Sequence, residues 1–170
     1  MAQDSTLTPE IRTELIAFLP RLRRFTRSLA GGNPDAGDDL AQSAIERALA
    51  NMNRFEVGTR LDSWMYKIAQ NIWIDSRRAE KRRGATVSDE VLTSVAGEDG
   101  RRVTETRQTM EATRTAIAKL PDDQRAAVML VLVDGLSYKD AADALSVPIG
   151  TIMSRIFRAR ATLEVEVFGR

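Results

Sequence analysis

The stretch that most constrains the fold lies near the C-terminus and reads GLSYKDAADALSVPIGTIMSRIFRAR, residues 135–160. Gly135 is typical of a helix end, because the residue after a helix often adopts the left-handed conformation. Ser137, with Asp140 three residues later, predicts a new helix start through an approximate capping box. Small apolar residues then recur at helical spacing as far as Leu145, and Pro148 suits the first turn of a second helix. The pattern predicts two helices joined by a tight turn.

Charge is divided between these two predicted helices. The aspartates precede the turn and the arginines follow it: Asp134, Asp140 and Asp143, then Arg155, Arg158 and Arg160. A helix pair with a purely basic second helix is typical of the helix-turn-helix, whose second helix enters the DNA major groove. An ordinary helical hairpin with a solvated arginine face is the alternative. The charge division favours DNA binding.

The residue types that carry most enzyme chemistry are missing. The chain contains no histidine and no cysteine, which excludes histidine acid–base catalysis, thiol chemistry, disulfides and zinc-finger ligation. Asp38 and Asp39 are adjacent, but neighbouring helical side chains point roughly 100° apart, and no base or ligand set accompanies them. We therefore predict a protein that is not an enzyme and has neither a cofactor nor a metal site.

Charge and hydropathy also bear on location and partners. The N-terminal segment MAQDSTLTPEIRTEL has early acids and no apolar core, unlike a signal peptide. No apolar run approaches the roughly 18 residues that a membrane span needs, so a cytoplasmic location is expected. The net charge of +1 gives no overall argument for nucleic acid, so the local distribution of charge carries the inference.

Helical spacing of apolar residues recurs along nearly the whole chain, and aromatic residues make up only 5% of it, which favours an all-α fold. Residues 84–104 are rich in glycine, serine, threonine and acids and predict a linker. The expected architecture is two small helical domains, residues 1–83 and 105–170. Before the helix-turn-helix, helices are expected at about 9–29, 35–52, 61–83, 105–119 and 124–134.

The buried faces of these helices follow from the same spacing. In the second helix they are Leu40, Ala44, Ile45, Ala48 and Leu49, and in the third Leu61, Trp64, Met65, Ile68, Ala69 and Ile72. The strongly apolar residues Val128, Met129, Val131, Leu132 and Val133 are expected at the buried centre of the second domain.

Two basic clusters lie in the first predicted domain. Pro20, which is expected to kink or split the first helix, is followed by Arg21, Arg23, Arg24 and Arg27. We interpret this cluster as a solvated face, with an acidic partner as the alternative. The third helix ends in RRAEKRR, residues 77–83, with five cations against Glu80. Helix-end capping needs fewer cations, so this cluster predicts a phosphate-binding patch.

Three motifs, in this order, resemble those of bacterial RNA polymerase sigma factors of the extracytoplasmic-function group. DDLAQSAIERAL (residues 38–49) is similar to the family's polymerase-binding helix, and RLDSWMYKIAQNIWIDSRR (60–78) to its promoter-melting helix. LPDDQRAAVMLVLVDGLSYKDAADALSVPIGTIMSRIFRAR (120–160) is similar to the signature of region 4. The resemblance implies two helical domains, region 2 and region 4, that direct transcription initiation without performing chemistry.

The resemblance also implies roles for individual residues. Asp38, Asp39, Leu40 and Gln42 would contact the clamp helices of the polymerase's largest subunit. Phe55, Arg60, Trp64, Asn71, Arg77 and Arg78 would bind the minus-ten element, Trp64 and Asn71 at an unstacked base. Thr151, Ser154, Arg155, Phe157 and Arg158 would lie at the minus-thirty-five element in the major groove. The 124–134 helix would partly meet the flap of the second-largest subunit.

Some features narrow the resemblance and others depart from it. Asp62–Ser63 before Trp64 and the LPRLRRF opening resemble the alphaproteobacterial general-stress-response subgroup, in which a small anti-sigma protein is the expected partner. Ser43 and Met153 stand where the family often has glutamate and a basic residue. A sigma-like decoy and an ordinary helix-turn-helix regulator remain as alternatives. A decoy would be expected to lose its basic residues and the residues that melt the promoter. An ordinary helix-turn-helix regulator does not explain the stretch from Trp64 to Arg78.

Overall fold

The computed structural model describes residues 7–84 and 104–169, and within them the chain is helical without strands. Its helices are α1 Pro9–Leu29, α2 Pro34–Ala50, α3 Leu61–Arg82, α4 Thr104–Ala118, α5 Asp122–Val128, α6 Tyr138–Leu145 and α7 Ile149–Phe168. A 3-10 turn, Met52–Arg54, follows α2, and a π-helical turn, Met129–Val133, follows α5. The all-α prediction is confirmed. Residues 85–103 of the predicted linker lie outside the described residues.

The first two helices begin as their sequences dictate. The Thr8 hydroxyl accepts a hydrogen bond from the Ile11 N–H at 3.3 Å, and Asn33 Oδ1 accepts one from the Ala36 N–H at 3.1 Å. A proline follows each capping residue, at a position where the missing N–H has no partner to lose. These caps set the starts of α1 and α2, and a short glycine loop joins the end of α1 to the start of α2.

Pro20 was expected to kink or split the first helix, and it does not split it, because α1 runs without interruption from Pro9 to Leu29. A proline inside a helix removes one hydrogen bond to the carbonyl four residues earlier. That carbonyl belongs to Ile16, and both Pro20 and Ile16 lie on the exposed side of α1. Water can therefore satisfy the carbonyl, and the buried opposite face holds the helix together.

Tyr66 is the centre of the α1–α3 core, although the spacing of apolar residues did not select it. It is fully buried, and its ring packs edge-on between Phe18 and Phe25 with centroids 4.9 Å from each. Such edge-to-face pairs contribute about 0.5–1.5 kcal/mol beyond the area they bury.

In contrast, Leu49 was predicted to be buried and is 47% exposed at the end of α2.

The apolar segment before the helix-turn-helix is shorter than predicted as an α-helix. After α5 the chain widens into the π turn, in which the Asp134 N–H donates to the carbonyl of Met129 at 2.9 Å. This wider turn buries Met129 and Leu130 but leaves Leu132 and Val133 more than 40% exposed. The expectation that the whole segment is buried is therefore wrong for its last residues.

The helix-turn-helix itself forms as predicted. Gly135 has a φ of 72°, and the Ser137 hydroxyl accepts from the Asp140 N–H at 3.0 Å to start α6. Ser146 ends α6 in the left-handed conformation, and α7 follows directly after Pro148. Ile152 and Ile156 are buried on the inner face of α7, which leaves its opposite face outside.

The N-terminal group, α1–α3, packs directly on the C-terminal group, α4–α7, and their apolar residues form one continuous core. Arg125 joins the two groups from within, since its Nη1 donates to the carbonyls of Ser28 and Leu29 at 3.0 and 3.1 Å. Its Nη2 donates to the Leu120 carbonyl at 2.8 Å. The side chain is only 7% exposed. A cation on α5 thus caps the C-terminal end of α1, where the helix dipole is negative.

Candidate polymerase and nucleic-acid interfaces

The acidic start of α2 faces outward on the N-terminal group. Arg27 on α1 donates through Nε and Nη2 to the two carboxylate oxygens of Asp38, both at 2.8 Å. This bidentate hydrogen bond holds the pKa of the Asp38 carboxyl below its ordinary value. Asp39 and Gln42 are exposed, whereas Leu40 belongs to the buried core. The surface available to a partner is therefore polar, and Leu40 supports it from below.

Close approach of two backbones sets the position of this acidic surface. Gly37 on α2 lies against Arg27 so tightly that an added Cβ would be 2.4 Å from the Arg27 Cα and 2.8 Å from its amide nitrogen. Only glycine fits such a contact. The sequence carries no signal for this role of Gly37, because a glycine near a helix start has no pattern of its own.

The predicted minus-ten residues lie along one side of the loop after α2 and the first turns of α3. The Phe55 ring packs on Trp64 with centroids 5.1 Å apart and a 47° tilt. Asn71 is exposed two turns further along α3. Arg60 pairs with Asp62 at 2.8 Å and also with Asp140 of the C-terminal group. Burial alone would raise the pKa of the Asp62 carboxyl. Hydrogen bonds from Arg60 and the Ser63 N–H outweigh this effect and lower that pKa.

The basic C-terminal end of α3 is partly covered. Arg77 lies over the Trp73 ring at 5.4 Å, and it pairs with Asp122 of the C-terminal group through Nε at 3.4 Å. Arg78 is exposed next to it. The end of α3 is thus a basic surface, and one of its arginines already has a carboxylate partner, while phosphate binding stays a prediction.

The predicted reading helix, α7, has an outward face of mixed chemistry. Ser154 accepts a hydrogen bond from Arg158 Nη2 at 3.0 Å, and Phe157 is 75% exposed. Thr151 is half-buried near the start of the helix. Arg155 differs from these residues, since it is 17% exposed and pairs with Asp123 at 3.4 Å.

Asp134, which the sequence indicated only as one of the acids before the turn, joins the two groups. Asp134 has a side chain that is 1% exposed, and it accepts hydrogen bonds from Arg24 and from the Tyr66 hydroxyl. Arg21 Nε lies 3.9 Å from the same carboxylate. Burial, together with this anionic neighbour, raises the pKa of Tyr66 well above its ordinary value. The α1 arginines Arg21 and Arg24 are therefore more than a solvated face: their side chains are 35% and 49% exposed, and both also meet an acid of the same chain.

The described ranges also bear on metal binding and on membrane insertion. Residues 7–84 and 104–169 bring together no group of three carboxylates that could hold a metal ion. None of the helices in those ranges combines the length and apolar character of a membrane span. The charged surfaces on α2, α3 and α7 are the candidates that the structure offers.

A helix-turn-helix and a second basic helix on one all-helical chain define a nucleic-acid-binding protein of two helical groups. Comparison with known proteins gives the family. Residues 110–163 match the family model described as sigma-70, region 4, and residues 15–70 match the model described as the sigma2 domain of PhyR. The chain is 36% identical to the ECF RNA polymerase sigma factor EcfG of Rhodopseudomonas palustris, over 95% of this chain and 87% of that protein.

Two further similar proteins indicate the same family. The ECF RNA polymerase sigma factor SigW of Bacillus subtilis is 30% identical, over 80% of this chain and 78% of its own. The sigma factor RpoE of Bartonella quintana, solved in complex with the anti-sigma factor NepR, is 32% identical with a TM-score of 0.75, over 91% and 94% of the two chains. The chain belongs to the extracytoplasmic-function sigma factors of bacterial RNA polymerase, a family of transcription regulators rather than enzymes.

Proposed function

We propose that this protein binds core RNA polymerase and directs promoter-specific initiation of transcription, without performing chemistry itself. The observation that carries the proposal is that one chain exposes polar and basic side chains along two separate helices, α3 and α7. Asn71 and Arg78 are exposed along α3, and Ser154, Phe157 and Arg158 are exposed along α7. Residues 1–83 would act as region 2 and residues 105–170 as region 4, with residues 84–104 as the linker. The protein would act in the cytoplasm, where the polymerase is.

The proposed contact with polymerase is the acidic start of α2. Asp38, Asp39 and Gln42 would meet the clamp helices of the largest subunit, with Leu40 buried behind them. Asp38 is held by Arg27 in a fixed orientation, which reduces the side-chain entropy lost on binding. The exposed apolar residues Leu132 and Val133 at the π turn would meet the flap of the second-largest subunit.

The proposed melting surface combines stacking and hydrogen bonding. A base leaving the duplex needs an aromatic surface and an amide partner. Trp64, supported by Phe55, would supply the aromatic surface and Asn71 the amide partner. Arg60, Arg77 and Arg78 would hold the neighbouring phosphates.

The proposed minus-thirty-five surface is α7, where Thr151, Ser154, Arg155 and Arg158 would contact base edges and phosphates. Phe157 would lie against thymine methyl groups.

We further propose control by a small anti-sigma protein in a general stress response. The likeness to EcfG and to a sigma factor solved with NepR supports such control.

A sigma-like decoy is the second candidate, favoured by the match of residues 15–70 to the sigma2 domain of PhyR. Retention of Asn71, Arg78 and Arg158 on exposed faces favours a working sigma factor, because a decoy has no need of DNA-contacting side chains.

An Asn71→Ala variant is expected to bind core polymerase as the parent does but to form fewer open complexes. The amide would be lost from the pocket for the unstacked base, while the α2 surface would be untouched. Permanganate reactivity of the melted strand measures the effect, with Asn53→Ala as the matched control in the turn after α2. Equal reactivity of parent and Asn71→Ala would contradict the assignment of Asn71.

An Arg158→Ala variant is expected to weaken discrimination at the minus-thirty-five element by about 1–3 kcal/mol, if the arginine makes a good base contact. Competition between promoter sequences measures this discrimination. Arg160→Ala is the control, because it removes the same charge from an exposed position two residues further along α7. Arg160→Ala should leave the ranking of promoters unchanged, and an unchanged ranking in Arg158→Ala would refute the assignment.

A further inference from the structure

We infer that an apolar stripe along α7, formed by Ile149, Met153 and Phe157, reads thymine methyl groups in the minus-thirty-five element, and that Met153 selects a thymine at its centre. The inference rests on the proposed function and deepens it, because it names the chemical group that the helix recognises and the residue that determines the choice. Arginine in the major groove selects guanine, whereas an apolar side chain there selects thymine through its C5-methyl group.

The first argument is the exposure of the apolar stripe. Its members lie four positions apart, so they are neighbours on the surface of α7. Ile149 is 46% exposed, Met153 51% and Phe157 75%, whereas Ile152 and Ile156 of the same helix are buried in the core. The core therefore does not account for the three exposed side chains. Adjacent apolar side chains that stay exposed are typical of a binding surface.

The second argument is the charge around the stripe, which favours DNA as the partner. Arg158 donates through Nη2 to Ser154 Oγ at 3.0 Å and through Nε to the Ser154 carbonyl at 3.3 Å, so its guanidinium is held against the exposed side of α7. Arg160 is exposed as well. From Ile149 to Leu163 the helix contains no acid. Such a surface suits the phosphates that line both sides of a major groove.

The third argument is the length of the stripe. From Ile149 to Phe157 the helix rises by about 12 Å, at roughly 1.5 Å per residue. Base pairs are stacked about 3.4 Å apart, so the stripe spans about three or four of them. Ile149 and Phe157 lie at its two ends, and Met153 lies between them. Each side chain can therefore meet a different base pair.

The chemistry of Met153 suits the central position. The thioether side chain has no hydrogen-bond donor, so it cannot make the paired contacts by which arginine recognises guanine. It is unbranched and polarisable, and it adapts its shape to an apolar neighbour. In the major groove, the apolar group that a base pair presents is the thymine methyl. Met153 is therefore the residue of the stripe that makes the central position specific for thymine.

The test removes one methyl group from the DNA and one side chain from the protein. The parent with core polymerase first selects promoters from a random library, which gives the minus-thirty-five sequence. Each thymine of that element is then replaced by deoxyuridine, which lacks only the C5-methyl group. Binding of each duplex is measured with core polymerase carrying the parent, Met153→Ala or Met153→Leu. Val165→Ala is the control, because Val165 is a 59% exposed apolar residue near the C-terminal end of α7.

One deoxyuridine replacement is expected to weaken DNA binding by the parent complex about fourfold, the scale of one methyl group removed from water. The same replacement should have almost no effect on the Met153→Ala complex, because the partner of the methyl group is already missing. Met153→Leu keeps an apolar side chain of similar volume, so it should retain the sensitivity of the parent. Val165→Ala should retain it too.

Equal sensitivity of the parent and Met153→Ala at every thymine would overturn the inference. A selected minus-thirty-five element without thymine on either strand would do the same. Weaker binding of Met153→Ala to core polymerase, with its sensitivity to the methyl groups unchanged, would make the stripe a protein contact and would also overturn the inference. These three outcomes leave the proposed function intact. Failure of the parent to select any promoter with core polymerase would instead reject the proposed function and the inference together.

Discussion

Arg125→Met is expected to lower the free energy of unfolding by about 3 kcal/mol, the scale of a lost charged hydrogen-bond group that leaves buried acceptors unpaired. The side chain is buried between the two helical groups and donates to carbonyls at the ends of α1 and α4. Methionine keeps much of the apolar stem but supplies no donor. The carbonyls of Leu29 and Leu120 would then be left without this partner.

Chemical denaturation monitored by helical circular dichroism measures the loss. Arg114→Met is the matched control, since that arginine is 74% exposed on α4 and forms a long ion pair with Glu111 at 4.0 Å. The control should change stability by less than about 0.5 kcal/mol, as exposed positions generally do. An Arg125→Met variant as stable as the control would show that Arg125 does not hold the two groups together.

Gly37→Ala is expected to lower the free energy of unfolding by about 1–3 kcal/mol, the usual cost of overpacking. The added Cβ would lie 2.4 Å from the Cα of Arg27, and a backbone atom cannot rotate away as a flexible side chain can. Helices α1 and α2 would have to move apart. Because Arg27 also holds Asp38, the variant should bind core polymerase more weakly as well.

Gly150→Ala is the control for Gly37→Ala. Gly150 lies inside the first turn of α7, and nothing is within 4 Å of the position that its Cβ would take. Alanine there should raise stability by about 0.4–1 kcal/mol, since it reduces the freedom of the unfolded chain. Opposite signs for the two glycines are expected in thermal or chemical unfolding. A neutral Gly37→Ala would contradict the close approach of α1 and α2.

Local signals predicted the helix-turn-helix well. Gly135, Ser137 and Pro148 act through the conformation of their own turn, so their effects can be read from a few neighbouring residues. The same holds for the glycine loop between α1 and α2. Pro20 shows the limit of such reasoning, because the cost of an interior proline depends on whether water reaches the freed carbonyl, and this depends on which face of α1 is buried.

Contacts between distant segments were the part that spacing could not predict. Tyr66 and Asp134 are 68 positions apart in the chain, yet they meet at the interface of the two groups. The arginines after Pro20 offered a signal, since an acidic partner was one of their two interpretations. Whether these arginines only face solvent or also meet an acid depends on where α5 and the π turn pack. The assignments of individual residues to polymerase and DNA stay predictions, because they concern partners that lie outside the chain.

Run-off transcription with purified bacterial core polymerase, this protein and a library of random promoter sequences tests whether the protein directs promoter-specific initiation. We expect discrete transcripts that depend on the protein, and the selected templates should share two elements separated by a fixed spacing. Binding to core polymerase without any transcript would favour the decoy. Absence of core binding, together with sequence-specific DNA binding by the protein alone, would contradict the account and indicate an ordinary helix-turn-helix regulator.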